Sequence, residues 1–294
     1  VMRTALLISA FILIAIVIAF TIRTDVVDVP KLKAKSDKKE KTGELNLEIL
    51  QKWDVPETLK EISALTYLDG SRFACIQDEL GTIFIFNTQQ EKIEKEIPFG
   101  KEGDYEGLAI AGNNAYVLRA DGTIFEVKDY ASSSPKTIEH NTSLTEKQDT
   151  EGMCYDSKNN RLLITIKDKE SSSNDFKGIY SFNLSDYSFS ESPVYKIDLK
   201  HAVFEDVKAK KAGDEMQPSA IAIHPKTGDL YIVEGAKPKM LIMDAQGNIK
   251  ALRELDKKEF AQPEGITFSP EGKMFISNEG GKKDAGNILE VKGM

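Results

Sequence analysis

Short runs of alternating apolar residues recur along the chain, and each opens with an oxygen-bearing side chain followed by a small residue. The five openings are Ser63-Ala64-Leu65-Thr66-Tyr67, Glu106-Gly107-Leu108-Ala109-Ile110, Glu151-Gly152-Met153-Cys154-Tyr155, Ser219-Ala220-Ile221-Ala222-Ile223 and Glu264-Gly265-Ile266-Thr267-Phe268. Their first positions are 43, 45, 68 and 45 residues apart. A repeat of about 40–45 residues that carries several short strands is typical of a β-propeller blade. The pattern therefore predicts an all-β fold, a five-bladed β-propeller.

The first repeat shows how a blade is built. Its predicted strands are Ser63–Leu68, Arg72–Gln77, Thr82–Asn87 and an outer strand at Lys92–Phe99, with turn residues such as Asp69-Gly70 between them. The step of 68 residues is too short for a hidden sixth blade, so we expect insertions around Asp168–Gly178 and Lys200–Gln217. The fifth repeat lacks an outer strand, which Leu45–Trp53 is predicted to supply. A β-sandwich is the rival fold, but it would not require the same motif to recur.

The N-terminal part of the chain has a different composition. Residues 4–22 are uncharged and almost wholly apolar, and as a helix they would run roughly 28 Å, close to the thickness of the bilayer core. We interpret residues 1–22 as an uncleaved transmembrane anchor, the alternative being a signal peptide. The charged residues 23–44 are expected to form a disordered tether. The propeller is then residues 45–294.

The side of the membrane is not settled by charge alone. The lysines between Lys31 and Lys41 would favour the cytoplasm under the positive-inside rule. A short N-terminus, one apolar run and a large domain are also the layout of an export anchor. We expect a single-pass protein of the cell membrane, with the propeller on the extracytoplasmic side, in the periplasm or at the cell exterior.

The charge of the propeller restricts its partners. The whole chain has a net charge of −8, whereas residues 45–294 carry 31 basic and 42 acidic side chains, a net −11. Nucleic-acid binding depends on neutralising phosphates, so this composition argues against it and favours cations or basic partners. We expect a monomeric propeller. The two cysteines, Cys75 and Cys154, lie in apolar strand patterns and are interpreted as buried hydrophobes, although a disulfide between blades stays possible on sequence grounds.

Candidate chemistry gathers at one mouth of the predicted pore. In an antiparallel meander the start of the first strand and the end of the second lie at the same end. This end should collect Ser63, Glu106, Glu151, Ser219 and Glu264, joined by Asp78, Glu79, Asp121, Asp168, Glu234, Asn278 and Glu279. Arg119 and Lys167 are the cationic exceptions and balance two carboxylates.

Crowded, partly desolvated carboxylates must take up protons, pair with cations or bind a metal. Calcium accepts six to eight oxygen ligands, whereas zinc prefers histidine or cysteine, and His140, His201 and His224 recur in no motif. The residues therefore favour calcium. The structural alternative is that these side chains bond to backbone groups of a neighbouring loop and connect one blade to the next. We assign Ser63 and Ser219 to that structural role.

The motifs also resemble a known family. Glu61–Tyr67 with Gln77-Asp78-Glu79, Tyr105–Ala109, and Gln262–Ile266 with Ser277-Asn278-Glu279 are similar to the SdiA-regulated family of bacterial propellers, over about residues 45–294. The resemblance implies a membrane-anchored five-bladed propeller, distantly like NHL-repeat propellers, with a bound calcium ion and no established activity. Carried over by position, it implies metal ligands at Glu106, Glu151, Glu264, Glu79 and Glu279.

The chain contains no Gly-x-Ser-x-Gly elbow, His-Glu-x-x-His helix motif, Walker loop or dinucleotide fingerprint. No catalytic residue can be named from sequence. The leading hypothesis is a membrane-tethered calcium-binding propeller that binds an unknown small molecule or protein in the cell envelope. The alternatives are a calcium-dependent hydrolase of phosphoesters, lactones or related esters, and a scaffold with no ligand.

Overall fold

The computed structural model describes residues 47–168, 170 and 173–293. Over these residues the chain forms twenty β-strands in five four-stranded antiparallel sheets, with two 3₁₀ helices at Glu57–Leu59 and Ala202–Phe204. Each repeat corresponds to one sheet, so the predicted five-bladed β-propeller is confirmed. Within each blade the first strand is the inner one, and its start pairs with the end of the second strand.

The strands follow the repeats in chain order. The first, β1 (Glu48–Asp54), belongs to the last blade. Blade 1 contains β2 (Ile62–Asp69), β3 (Arg72–Gln77), β4 (Thr82–Asn87) and β5 (Lys92–Pro98). Blade 2 contains β6 (Tyr105–Ala111), β7 (Asn114–Arg119), β8 (Ile124–Lys128) and β9 (Lys136–His140). Blade 3 contains β10 (Thr150–Asp156), β11 (Arg161–Ile166), β12 (Phe176–Asn183) and β13 (Tyr195–Asp198). Blade 4 contains β14 (Ala220–Ile223), β15 (Leu230–Glu234), β16 (Lys239–Met243) and β17 (Ile249–Glu254). Blade 5 contains β18 (Pro263–Phe268), β19 (Met274–Asn278) and β20 (Asn287–Lys292), with β1 as its outer strand.

The ring is closed by its N-terminal strand, as the sequence predicts. β1 pairs antiparallel with β20, from Glu48 opposite Lys292 to Asp54 opposite Asn287. Trp53 packs against Phe275 of β19, with ring centroids 6.5 Å apart. Its role is therefore packing of the closing strand. Closure in this way removes the unpaired edge that β20 would otherwise expose.

The extra residues of the third repeat lie in the two predicted connections. The segment between β11 and β12 runs from 167 to 175, so Phe176–Gly178 already belong to β12 rather than to the insertion. The second segment, from 199 to 219, links blades 3 and 4 and contains the 3₁₀ helix Ala202–Phe204, whose Phe204 is buried. The described residues of both segments lie outside the sheets, and blade 3 keeps its four strands.

The hydrophobic core lies between neighbouring blades. One cluster joins Ile83 and Ile85 of blade 1 to Val117 and Phe125 of blade 2, and similar clusters fill the other blade junctions. Cys75 is buried and Cys154 is half-buried, and both thiols are free. Their interpretation as apolar packing residues is thus confirmed, and the disulfide alternative is wrong.

Hydrogen bonds connect the inner strands across the blade junctions. The Ser63 hydroxyl donates to the carbonyl of Tyr105 in the next blade at 2.6 Å, and the Ser219 hydroxyl donates to the carbonyl of Pro263 at 2.6 Å. Thr66 donates in the same way to Leu108 at 2.9 Å. A buried hydrogen bond contributes about 1 kcal/mol. The two motif serines therefore have the structural role assigned to them.

The predicted N-terminal segments, the anchor at 1–22 and the tether at 23–44, lie outside the described residues. Among the residues that the structure does describe, no helix is long and apolar enough to cross a bilayer.

Candidate functional site

The first residue of each glutamate motif lies at a β-bulge. The pairing of β6 with β7 shifts between Tyr105 and Gly107, which leaves Glu106 outside the ladder. The same irregularity brackets Glu264 in β18 and Glu151 in β10. A bulge places one unpaired residue in a strand and changes the direction of its side chain. The three glutamates are thus turned out of their sheets at one end of the pore.

Glu106, Glu151 and Glu264 come from blades 2, 3 and 5 and lie close enough to affect one another. Burial raises the pKa of Glu106 to about 10, and the charge of Glu151 and a hydrogen bond with Asp104 add to the effect. Burial likewise raises the pKa of Glu264 to about 8, with Glu151 adding to it. Three carboxyls of one sign in a desolvated space cannot all ionise cheaply.

Lys167 supplies the positive charge within this group. It follows β11 directly, and its ammonium pairs with the buried carboxylate of Glu151 and lies 3.9 Å from Asp149 Oδ2. Burial disfavours the ammonium charge, but Glu151 and Asp149 outweigh burial and raise the pKa of Lys167. Lys167 also opposes the effect of burial on Glu151, whose pKa rises only to about 7.

A second lysine holds the backbone beside Lys167. Lys177 lies on β12 and is 3% exposed, and its ammonium donates to the carbonyl oxygens of Lys167 and Asp168, each at 2.5 Å. Burial lowers the pKa of Lys177. The two lysines therefore differ in role, because Lys167 contacts the carboxylates of Glu151 and Asp149, whereas Lys177 anchors the backbone of Lys167 and Asp168.

Arg119, the other predicted cation, is paired with a different partner. Its guanidinium contacts Asp121, with Nη2 2.7 Å from Oδ2, and lies over the Phe125 ring at 5.2 Å. Arg119 thus balances Asp121, whereas Lys167 balances the glutamates. Of the two cationic residues predicted at this end of the pore, Lys167 is the one that pairs with a motif glutamate in the described structure.

The second-strand carboxylates occupy the edge of the group. Glu279 accepts a hydrogen bond from the Gln262 side chain, and its pKa is raised by burial and by the charges of Asp78 and Glu61. Asp78 has one buried carboxylate oxygen with no hydrogen-bond partner in the described structure. Glu79 is exposed. Glu279 thus interacts electrostatically with both Glu264 and Asp78, whereas Glu79 is a rim residue.

Glu234 is kept away from the pore by its own partner. It is fully buried at the end of β15, where Lys239 Nζ lies 2.5 Å from Oε2 and the Gln217 N–H donates to the same oxygen at 2.8 Å. The next residue, Gly235, has a different function. A Cβ there would collide with Oε1 of Glu264, so the glycine leaves the space that the Glu264 carboxylate occupies.

Two site residues that the motif analysis missed have a recognisable signal. Asp104 and Asp149 each lie two residues before the motif glutamate, and both act on the charge of Glu106 or Glu151. The equivalent positions in the other repeats are also polar: Glu61, Gln217 and Gln262. The repeat therefore extends two residues upstream. Lys177 had no such signal, since it is the second residue of β12, outside the repeated motif, and reaches the site only through folding.

We call Asp104, Glu106, Asp149, Glu151, Glu264 and Glu279, with Lys167 among them, the acidic mouth. All of its potential metal ligands are carboxylates, the type of ligand that a hard cation prefers. They do not form a ready-made cage: within 47–168, 170 and 173–293, no three acidic, histidine or cysteine side chains converge closely enough to hold a metal ion. The metal assignment of the five glutamates therefore stays a prediction.

The fold and this site define a class, the five-bladed β-propellers with an acidic pore mouth. The chain belongs to the SdiA-regulated family, whose model matches residues 42–279. Among solved structures it is similar to glutaminyl cyclase of Myxococcus xanthus, with 17% identity and a TM-score of 0.58 over 84% of this chain and 95% of that chain. It is also similar to virginiamycin B lyase from Staphylococcus aureus, with 14% identity and a TM-score of 0.45 over 79% of this chain and 68% of that chain. At these identities the likeness concerns the fold alone. No curated protein sequence matches the chain significantly.

Proposed function

We propose that the protein is a membrane-tethered binding module of the cell envelope whose acidic mouth takes up a calcium ion together with a small-molecule or protein ligand. The observation that carries this proposal is the group of three desolvated glutamates from separate blades, each of which has a raised pKa. One ammonium, that of Lys167, is too little charge to balance them. A divalent cation would stabilise their ionised forms.

The chemistry of the donors supports calcium over a softer metal. Glu106, Glu151 and Glu264 would hold the ion, with Glu279 beside them, and all four offer only oxygen. His140 contacts Glu126 at 3.0 Å, and His201 and His224 accept backbone N–H groups. In the part of the chain that the structure describes, none of the three histidines contacts the acidic mouth.

Thermal melting of the chain from residue 45 tests the calcium proposal. Ligand at 100 times its Kd stabilises a protein by about 2.7 kcal/mol, so calcium should raise the melting temperature by roughly 5–10 °C over EDTA. The variant Glu106→Gln/Glu264→Gln should lose most of this shift. The matched control is Glu254→Gln, an exposed glutamate on β17, which should keep it. Equal melting of the unsubstituted protein in calcium and EDTA would contradict the proposal.

A calcium-dependent hydrolase is the second candidate. The observation in its favour is that Glu151 and Glu264 have pKa values of about 7 and about 8, the range in which a carboxyl exchanges protons at neutral pH. When bound, calcium would polarise an ester or phosphoryl oxygen. A panel of phosphoesters and lactones, assayed with calcium and with EDTA, separates the candidates. Calcium-dependent turnover that is lost in Glu264→Gln would support an enzyme, and no turnover would favour binding.

The membrane tether is a separate part of the proposal. It rests on the uncharged run at residues 4–22, and the propeller would lie on the extracytoplasmic side. Cell fractionation with protease accessibility tests both points. Recovery of the full chain in the soluble cytosolic fraction would contradict them.

A further inference from the structure

The pore has a second feature at the end opposite the acidic mouth. A cavity of about 720 Å³ opens there, and all five inner strands contribute to its wall. Cavities of roughly 300–1,000 Å³ are the usual size for sites of small organic molecules. The proposed function makes no use of this cavity.

The wall changes character along the pore. The lining begins at the third residue of each motif, and these five side chains are apolar and buried: Leu65, Leu108, Met153, Ile221 and Ile266. Nearer the opening, Tyr67, Tyr155 and Phe268 add aromatic surface, and all three are partly exposed. An apolar interior with aromatic groups at the opening suits a ring-sized apolar body.

The charges at this opening are opposite in sign to those of the acidic mouth. Lys158 of blade 3 and Lys226 of blade 4 are both exposed on the lining. Asp156 is the acidic side chain of the lining; Arg161 Nε balances its charge at 2.9 Å, and Asn159 Nδ2 donates a hydrogen bond to it at 2.7 Å. Glu271, outside the lining, acts on Lys226 only at longer range. The opening thus has a net positive charge on a domain whose net charge is −11.

We infer that this cavity binds a small organic anion, whose apolar ring system lies against the wall and whose acidic group faces Lys158 and Lys226. Two observations carry the inference independently. The volume and the five apolar side chains deep in the wall select the body of the ligand. The two lysines, which form no salt bridge within 4 Å among the described residues, select the sign of its charge. The acidic mouth would repel the same molecule. The two ends of one pore are therefore suited to ligands of opposite charge.

The experiment uses the chain from residue 45, because it contains every strand of the closed propeller that the structure describes. The probe is 8-anilino-1-naphthalenesulfonate, and the comparison probe is N-phenyl-1-naphthylamine, which has the same rings without the sulfonate. Fluorescence titration should give saturable binding of the anion at one site. The neutral probe should bind more weakly.

Two variants locate the site. Lys158→Glu/Lys226→Glu reverses both charges, so affinity for the anion should fall at least about fivefold while that for the neutral probe changes little. Ile110→Trp fills the cavity from the end of β6, so binding of both probes should fall. The matched control, Lys257→Glu/Lys258→Glu, reverses two exposed charges in the connection after β17, at the acidic end. It should bind both probes like the unsubstituted protein.

Melting curves in the absence of probe show whether each variant is folded. Non-saturable binding, or anion binding that survives both the charge reversal and Ile110→Trp in folded protein, would overturn the inference. An equal loss of anion binding in the Lys257→Glu/Lys258→Glu control would also overturn it, because the effect would then come from net charge. If Ile110→Trp does not fold, the charge-reversal pair decides alone. Calcium or EDTA should change none of these results, which separates this test from that of the proposed function.

Discussion

Glu106, Glu151 and Glu264 open equivalent inner strands, yet their carboxyls have different pKa values. Glu151 contacts the Lys167 ammonium and has the lowest, about 7. Glu106 has the highest, about 10, because burial and the charge of Glu151 raise it and its hydrogen-bond partner, Asp104, is another carboxyl that adds to the effect. Burial thus raises the pKa of all three glutamates, and the neighbouring groups determine how far each one rises.

These pKa values predict how the metal-free protein responds to pH. A carboxyl whose pKa is higher in the folded than in the unfolded chain, here above 4.5, holds its proton more tightly when folded. Its contribution to stability is fully present below the unfolded value and is lost as pH rises from the unfolded value through the folded one. In EDTA, the melting temperature should therefore fall by roughly 5 °C between pH 5 and pH 8. Differential scanning calorimetry across this range measures it.

Glu106→Gln should flatten this dependence, because one titrating group is removed and the others lose a like charge. Glu254→Gln should leave the slope unchanged. A melting temperature that rises from pH 5 to pH 8 to the same extent in unsubstituted protein and Glu106→Gln would show that the cluster does not control stability.

Gly235 offers a test of the site that leaves every carboxylate in place. In Gly235→Ala the new methyl group would displace the end of the flexible Glu264 side chain, so the fold should survive while the site is rearranged. We expect melting in EDTA within about 2 °C of the unsubstituted protein and a clearly smaller shift with calcium. Gly293→Ala, which meets no atom within 4 Å, is the control. An unchanged calcium shift in Gly235→Ala would mean that Glu264 does not contact the ion.

At the scale of the strand, the small second residue of the motif is required by the close approach of neighbouring inner strands. A Cβ at Gly152 would lie 2.9 Å from backbone atoms of Ala220 in the next blade, and one at Gly107 would lie 2.8 Å from Cβ of Met153. A glycine in a strand often marks such an approach of another backbone. The bulge and the small residue therefore act together, since one turns the glutamate outward and the other lets the blades meet behind it.

Gly152→Ala should destabilise the propeller by about 2–3 kcal/mol, the usual cost of overpacking a core. The new methyl group would meet Thr165 Oγ1 at 2.6 Å and the Ala220 backbone at 2.9 Å rather than the Ala220 methyl group, so Gly152→Ala/Ala220→Gly should not recover the loss. Urea unfolding followed by circular dichroism measures both variants. Full recovery in the double variant would place the contact at the Ala220 side chain and contradict the packing described.

The whole molecule depends on one strand for closure. β1 forms the outer edge of blade 5, and the N–H of Val55, just after it, donates to the carbonyl of Gly286 at 2.8 Å. The chain meets itself across the first and last repeats, so stability requires both ends of the domain. The large separation of these partners along the chain makes closure a late, long-range step in folding.

A chain that begins at residue 56 should therefore not remain a stable monomer. Without β1, the edge of β20 is unpaired and can pair with another molecule. Light scattering should detect oligomers or aggregates, whereas the chain that begins at residue 45 should be monomeric. A synthetic peptide of residues 45–56 should restore the monomer by strand addition. Monomeric, fully cooperative melting of the shortened chain would contradict this account of closure.

The repeat itself was predictable from sequence, because each blade requires the same residue types at the same spacing. Alternating apolar residues, turn signals and the small second residue were enough to give five blades, the closing strand and the two insertions of blade 3. Strand ends differ by only a few residues, as for β12, which begins at Phe176 within the expected insertion. These features depend on local chemistry repeated at a fixed spacing.

The candidate site was only partly predictable, because its contacts join residues that have no fixed spacing along the chain. The pairing of each cationic side chain with a carboxylate depends on distances in three dimensions. Arg119 and Lys167 therefore look alike in sequence, but Arg119 pairs with Asp121 and Lys167 pairs with Glu151. Glu234 looks like the other acidic strand ends, but it is bound by Lys239 and kept from the pore. The cavity at the far end had no motif of its own, since five separate strand ends form it.

The sequence by itself determined the five-bladed ring, the position of its closure and the end of the pore where acidic side chains gather, because each follows from the order and period of residue types. Only the tertiary structure decided which carboxylates are desolvated together and which lysine lies among them. It also decided the charge of the opposite opening, which is the reverse of that of the acidic mouth. Those properties arise from distances between blades, and residues on different blades have no fixed relation along the chain.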